Sequence, residues 1–79
     1  MLVRFFAGAA EAAGRPSREI DGYGKDVAAV TSELAAGNER LARVLASSAL
    51  LADGVRVPDA AMDLSGTSQL DVLPPFAGG

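Results

Sequence analysis

Four stretches of this 79-residue sequence predict an α+β domain, a mixed sheet of four or five strands packed on one main helix. Leu2-Val3-Arg4-Phe5-Phe6 and Gln69-Leu70-Asp71-Val72-Leu73 place successive side chains on opposite sides, the period of a strand. Val27, Val30 and Leu34 recur at helical spacing along one face. Asp53-Gly54 separates two short apolar runs and is the strongest hairpin turn in the chain.

Taken in order, the first strand puts Val3 and Phe5 on one side and Leu2, Arg4 and Phe6 on the other. Ala7 to Ala13 is small and glycine-punctuated, a short helical turn or loop, and Gly14-Arg15-Pro16 stops it. Ser17 to Ile20 is a second strand, which makes residues 2–20 a loose hairpin. Asp21-Gly22-Tyr23-Gly24 reads as a turn, because nothing after its glycines completes a nucleotide loop. Asp26 is placed to cap the main helix, which runs to about Ala36, and Gly37 follows where a helix C-cap belongs. Asn38 caps a second, short helix with Leu41, Val44 and Leu45 as its apolar stripe, ended by Ser47-Ser48. Ala49 to Ala52 is the third strand, and Val55-Arg56-Val57 returns from the turn as the fourth. Pro58-Asp59 breaks that strand, residues 60–68 are an irregular connection with Leu64 turned inwards, and Gln69 to Leu73 is the last strand.

The composition narrows the function. With 79 residues the chain is one small domain, and a domain of this size buries only about 60–65% of its unfolded surface. Seven basic and ten acidic residues leave a net charge of −3, which does not suit a nucleic-acid binder and favours, weakly, a partner with a basic surface. No stretch is apolar for the length of a membrane span and no leader is visible, so a cytoplasmic location is expected, with no membrane partner. There is no cysteine and no histidine. A thiol nucleophile, a zinc site and a histidine general base cannot be built from this chain, so no metal is expected.

What remains is the end of the sequence. Residues 1–73 read as the folded domain and residues 74–79, Pro74-Pro75-Phe76-Ala77-Gly78-Gly79, as an extended tail ending in a free carboxylate. Gly78 and Gly79 carry no Cβ and enter a slot too narrow for other residues, and the two prolines stiffen the base. Six extended residues reach at most about 20 Å. That suffices to enter a partner's active site while the domain stays outside.

Two stretches resemble the small sulfur-carrier subunit of molybdopterin synthase. The opening strand and turn, Val3-Arg4-Phe5-Phe6-Ala7 through Glu11 and Gly14, is similar to that family's start. The more specific match is Asp71-Val72-Leu73-Pro74-Pro75-Phe76-Ala77-Gly78-Gly79, which resembles its last strand and tail. The sequence departs from the family at Ala10, where an arginine is frequent, and at Thr67-Ser68, where Gly-Asp is frequent. The resemblance implies a ubiquitin-like β-grasp roll, with the first and last strands parallel at the centre. It also implies a non-catalytic carrier that binds no cofactor itself. An adenylyltransferase of the ubiquitin-activating type uses ATP to adenylate the Gly79 carboxylate, and a sulfur donor converts it to a thiocarboxylate. The carrier then docks on the large subunit of molybdopterin synthase, threads Pro74, Pro75, Phe76, Ala77 and Gly78 into it, and gives its sulfur to the pterin precursor of the molybdenum cofactor.

Other readings share this chemistry. A carrier of the same build could serve thiamine, cysteine or tRNA thiolation, although the double proline argues against thiamine. A ubiquitin-like modifier would join Gly79 to lysines of other proteins by isopeptide bonds. A small interaction domain with an inert tail is the plain reading. If Val3, Phe5, Leu70 and Val72 face the helix, Phe6 and Leu73 lie on the opposite side, joined by Val57 from the hairpin. Large apolar groups on a solvent face mark a partner interface. Arg4 and Asp71 share that side on neighbouring strands and are expected to form an exposed ion pair.

Overall fold

The computed structural model describes residues 1–75, and Phe76, Ala77, Gly78 and Gly79 lie outside the described residues. The order of elements is β1 (Leu2–Phe5), α1 (Gly8–Ala13), β2 (Ser17–Glu19), α2 (Val27–Ala35), α3 (Glu39–Ser47), β3 (Ala49–Ala52), β4 (Val55–Arg56) and β5 (Gln69–Leu73). The five strands form one mixed sheet in the order β2-β1-β5-β3-β4. β1 and β5 run parallel, pairing Val3 with Leu70, Arg4 with Asp71 and Phe5 with Val72. All other neighbours are antiparallel. The last strand in sequence is therefore the middle strand in space.

Local chemistry explains the boundaries. The Asp26 carboxylate accepts from the Ala29 N–H at 2.8 Å, satisfying a donor that the first turn of α2 leaves free. Asn38 does the same for α3 through Leu41 N at 3.0 Å, and its amide donates to Ala12 O at 2.9 Å, tying α3 to α1. Gly37 takes φ +72° just beyond α2, a conformation that costs glycine little. Asp53 and Gly54 both adopt positive φ, as a two-residue turn between β3 and β4 requires. The stretch read as a short helical turn or loop after β1 is the six-residue helix α1, and α3 has nine residues, as many as α2.

One side of the sheet meets the helices. Val3, Leu70, Val72, Val30 and Leu64 are fully buried there, joined by Phe5, Ile20, Val27, Leu34, Leu41 and Leu45. Each such aliphatic side chain contributes roughly 1.5–3 kcal/mol when taken out of water. Leu64 is the inward residue of the otherwise irregular connection to β5. Among the described residues no helix is long and apolar enough to cross a membrane.

Candidate functional site

Among the described residues the other side of the sheet carries no helix. Because paired residues on neighbouring strands share a face, the register fixes its membership. Leu2, Arg4, Gln69, Asp71, Leu73, Ala49, Leu51 and Arg56 stand on this open side. Phe6 continues β1 by donating its N–H to Val72 O at 3.2 Å, and it is 37% exposed. Ala7 then takes φ 48° and ψ −124° and turns the chain away into α1.

Arg4 and Asp71 lie directly opposite each other, and the guanidinium grips the carboxylate with two bonds. Nε donates to Oδ1 at 2.8 Å and Nη2 to Oδ2 at 2.9 Å. The side-chain hydrogen bond to Asp71 raises the Arg4 guanidinium above its ordinary value; partial desolvation opposes this, and the Asp71 charge adds to it. Arg4 Cζ also lies 5.2 Å from the centre of the Phe6 ring, within the range of a cation–π contact. The expected exposed pair is thus half sunk: Asp71 is only 7% exposed, at the middle of the central strand, while Arg4 keeps contact with water. The pair and the Phe6 ring form one contiguous cluster on the open side.

Val57 departs from the expectation. Its N–H donates to Leu50 O at 2.9 Å, which extends the β3–β4 register and sets it opposite Leu50. Leu50 pairs with buried Val72, so Val57 lies on the helix side, packed against the core. It does not join Phe6 and Leu73. The strand alternates as expected, but it is Arg56 that faces out with Leu51. Leu51, Ala49 and Arg56 were not singled out in the sequence; the signal was present in the alternation of residues 55–57 but needed the register with β3 to be read. Leu73 is half-buried at the end of β5, Pro74 half-buried and Pro75 exposed. The expected threading residues Phe76, Ala77 and Gly78 and the expected reactive Gly79 lie outside the described residues.

On the helix side, Val27, Thr31, Ala35, Ala42, Leu45, Ala46 and Leu50 line an open apolar groove of about 330 Å³ between α2 and α3. Among the described residues no group of acidic side chains is gathered as a metal site.

Known structures match this arrangement. The crystal structure of SAMP1 from Haloferax volcanii is 23% identical, with a TM-score of 0.75 over 99% of this chain and 97% of that one. The fold is a ubiquitin-like β-grasp roll. A second crystal structure, of the H. volcanii small archaeal modifier protein 1, gives a TM-score of 0.72 at 21% identity over 95% of both chains. The solution structure of the H. volcanii HVO 2177 protein gives 0.72 at 27% identity over 99% of this chain and 84% of that one. No protein-family model and no curated protein matches the sequence. The structural neighbours of this β-grasp roll therefore include small archaeal modifier proteins.

Proposed function

We propose that this chain is a carrier activated at its terminal glycine, whose Gly79 carboxylate is adenylated by a partner of the ubiquitin-activating type and then converted to a thiocarboxylate. One observation carries the reading. The central strand β5 leads without a polar spacer into Pro74-Pro75, beside an open sheet side that presents Phe6, Leu51 and Leu73. A partner can hold the domain by that side and receive the terminus in a narrow slot. Adenylation turns a poor electrophile into a good one: the carboxylate attacks the α-phosphate of ATP and pyrophosphate leaves. A sulfide-level donor then attacks the acyl carbon, AMP leaves, and sulfur stays on the backbone terminus. The resemblance of residues 71–79 to the small subunit of molybdopterin synthase makes the pterin precursor the favoured sulfur acceptor, with the large subunit as docking partner.

The modifier names of two structural neighbours favour a second fate for the same activated carboxyl, an isopeptide bond to a lysine of another protein. Intact mass after incubation with an activating enzyme, ATP and a sulfur source separates the two. A sulfur-for-oxygen exchange on the free chain supports the carrier, and a mass gain on other proteins equal to this chain less one water supports the modifier.

The terminus is tested by a chain with one alanine added after Gly79. The addition moves the carboxylate by about 3.5 Å. A displacement of about 1 Å already costs around 10²-fold in a positioned reaction. The extended chain should fold and dock, yet lose ATP–pyrophosphate exchange. Exchange at the parent rate would favour an inert tail.

A further inference from the structure

We infer that Asp71 is a positioning residue for docking: it acts through Arg4, which it clamps, to set the Phe6 ring in the orientation that a partner of the open side receives. The inference rests on the docking role proposed above and adds to it a buried residue that governs an exposed one.

Arg4 and Phe6 are two residues apart along β1 and so share the open side. On its own strand the ring has a neighbour on one flank only. Ala7 takes φ 48°, and the residue two beyond Phe6 is Gly8, where α1 begins. The Phe6 backbone is held from both directions: its N–H donates to Val72 O at 3.2 Å, and its carbonyl accepts from Ala9 N at 2.9 Å. The side chain is left to choose between the two χ1 wells that are common in strands. What tells those wells apart is the guanidinium of Arg4, 5.2 Å from the ring centre. At an exposed site such a contact favours one orientation by about two- to fivefold.

A long arginine side chain makes a poor platform unless something holds it. Here Nε and Nη2 donate to the two oxygens of Asp71, at 2.8 and 2.9 Å. The fork lies in the plane of the guanidinium and leaves its faces open, so one group grips a carboxylate by its edge and offers a face to a ring. Asp71 is buried, and its backbone is paired with Arg4 on one side and Leu51 on the other. Dependence therefore runs outwards from the centre of the sheet. The strand β5 places Asp71, Asp71 places Arg4, and Arg4 places the ring. A ring set before contact saves the ordering that binding otherwise costs.

The test uses the full chain and an adenylating enzyme of the ubiquitin-activating type, with ATP–pyrophosphate exchange followed against carrier concentration. Asp71→Asn keeps the size of the side chain and removes the charge that holds the fork. It should raise the half-saturating concentration by about two- to fivefold with a nearly unchanged maximal rate. Arg4→Gln should do the same. These two substitutions change the net charge in opposite directions, so a long-range electrostatic effect would move them apart, whereas loss of the ring's position weakens both. In a Phe6→Leu background, which keeps an apolar side chain without a ring, Asp71→Asn should have no further effect. A merely structural role would weaken docking alike in both backgrounds. A second readout needs no partner. Three-bond NMR couplings about the Cα–Cβ bond of Phe6 should report a dominant rotamer in the parent and averaging in Asp71→Asn. Unchanged couplings, or an equal loss in the Phe6→Leu background, overturn the inference and leave the carrier reading standing. If the parent itself gives no exchange, the carrier reading falls and takes the docking role of Asp71 with it.

Discussion

The two sides of the β1–β5 pair use the same backbone ladder for opposite purposes. Val3, Phe5, Leu70 and Val72 point to the helices and are at most 4% exposed. Arg4, Phe6, Asp71 and Leu73 point the other way and build a polar cluster rimmed by apolar groups. The helix side is under a packing constraint, where shape and volume decide. The open side is under a chemical one, where charge and exposure decide. A single strand thus stabilises the domain with every second residue and leaves the residues between on the open side, where the proposed docking would use them.

This contrast can be broken most severely from the helix side. Leu70→Ala removes a side chain that is 0% exposed and should cost about 2–5 kcal/mol in urea unfolding, with dimming of any docking only through loss of folded protein. A next, smaller effect tests whether the ion pair belongs to the open side or to the core. Arg4→Ala strands the carboxylate of Asp71, the less exposed partner, whereas Asp71→Ala leaves an arginine that water can reach. Arg4→Ala should therefore lower the unfolding midpoint more than Asp71→Ala, and a double-mutant cycle should show coupling between them. Equal and additive losses would return the pair to the class of silent surface contacts. Phe6→Asp should change stability by no more than about 1 kcal/mol, the loss of one exposed ring and its cation–π contact, yet abolish partner binding. Unfolding by Phe6→Asp would place that residue with the core and erase the distinction.

The smallest effect is far from both sides. The Ser65 hydroxyl and then the Ser65 N–H hold the Asp63 carboxyl below its ordinary value, at 2.7 and 3.0 Å. A depressed folded value means a contribution to stability that is present above the unfolded pKa and lost as the pH falls through the folded one. Ser65→Ala should move the Asp63 titration upwards, as followed by NMR, with little change at neutral pH. No movement would show that the backbone bond alone holds the carboxylate.

Much of this was legible in the sequence because it is local. The caps at Asp26 and Asn38, the Asp53-Gly54 turn and the alternation of both terminal strands are decided by residues within a few positions of one another. The resemblance at residues 71–79 supplied the parallel pairing of β1 and β5, which alternation alone does not specify. Val57 was misplaced because alternation says only that residues 55 and 57 share a side, and the side itself is set by β3. The depth of Asp71 was likewise hidden, since it follows from the strand order that puts β5 between β1 and β3. The carboxylate of Asp53 shows the same limit. Its role in the turn is local, but its bonds to Ser68 and Gln69 N–H cross the sequence.

Those last bonds fix a length. Asp53 Oδ1 accepts from Ser68 N at 3.1 Å and from Gln69 N at 2.9 Å, and the Asp53 N–H donates to Gln69 O at 2.8 Å. The hairpin thereby holds the first residue of β5 at one register. A slip of one residue would turn every side chain of that strand to the wrong side. It would also shift by about 3.3 Å the point at which the chain leaves the sheet. Asp53 acts as the zero mark of a ruler that sets where Pro74 leaves the sheet. In the proposed carrier, a partner with a slot of fixed depth would then be measuring from this carboxylate, at the opposite end of β5 from Pro74.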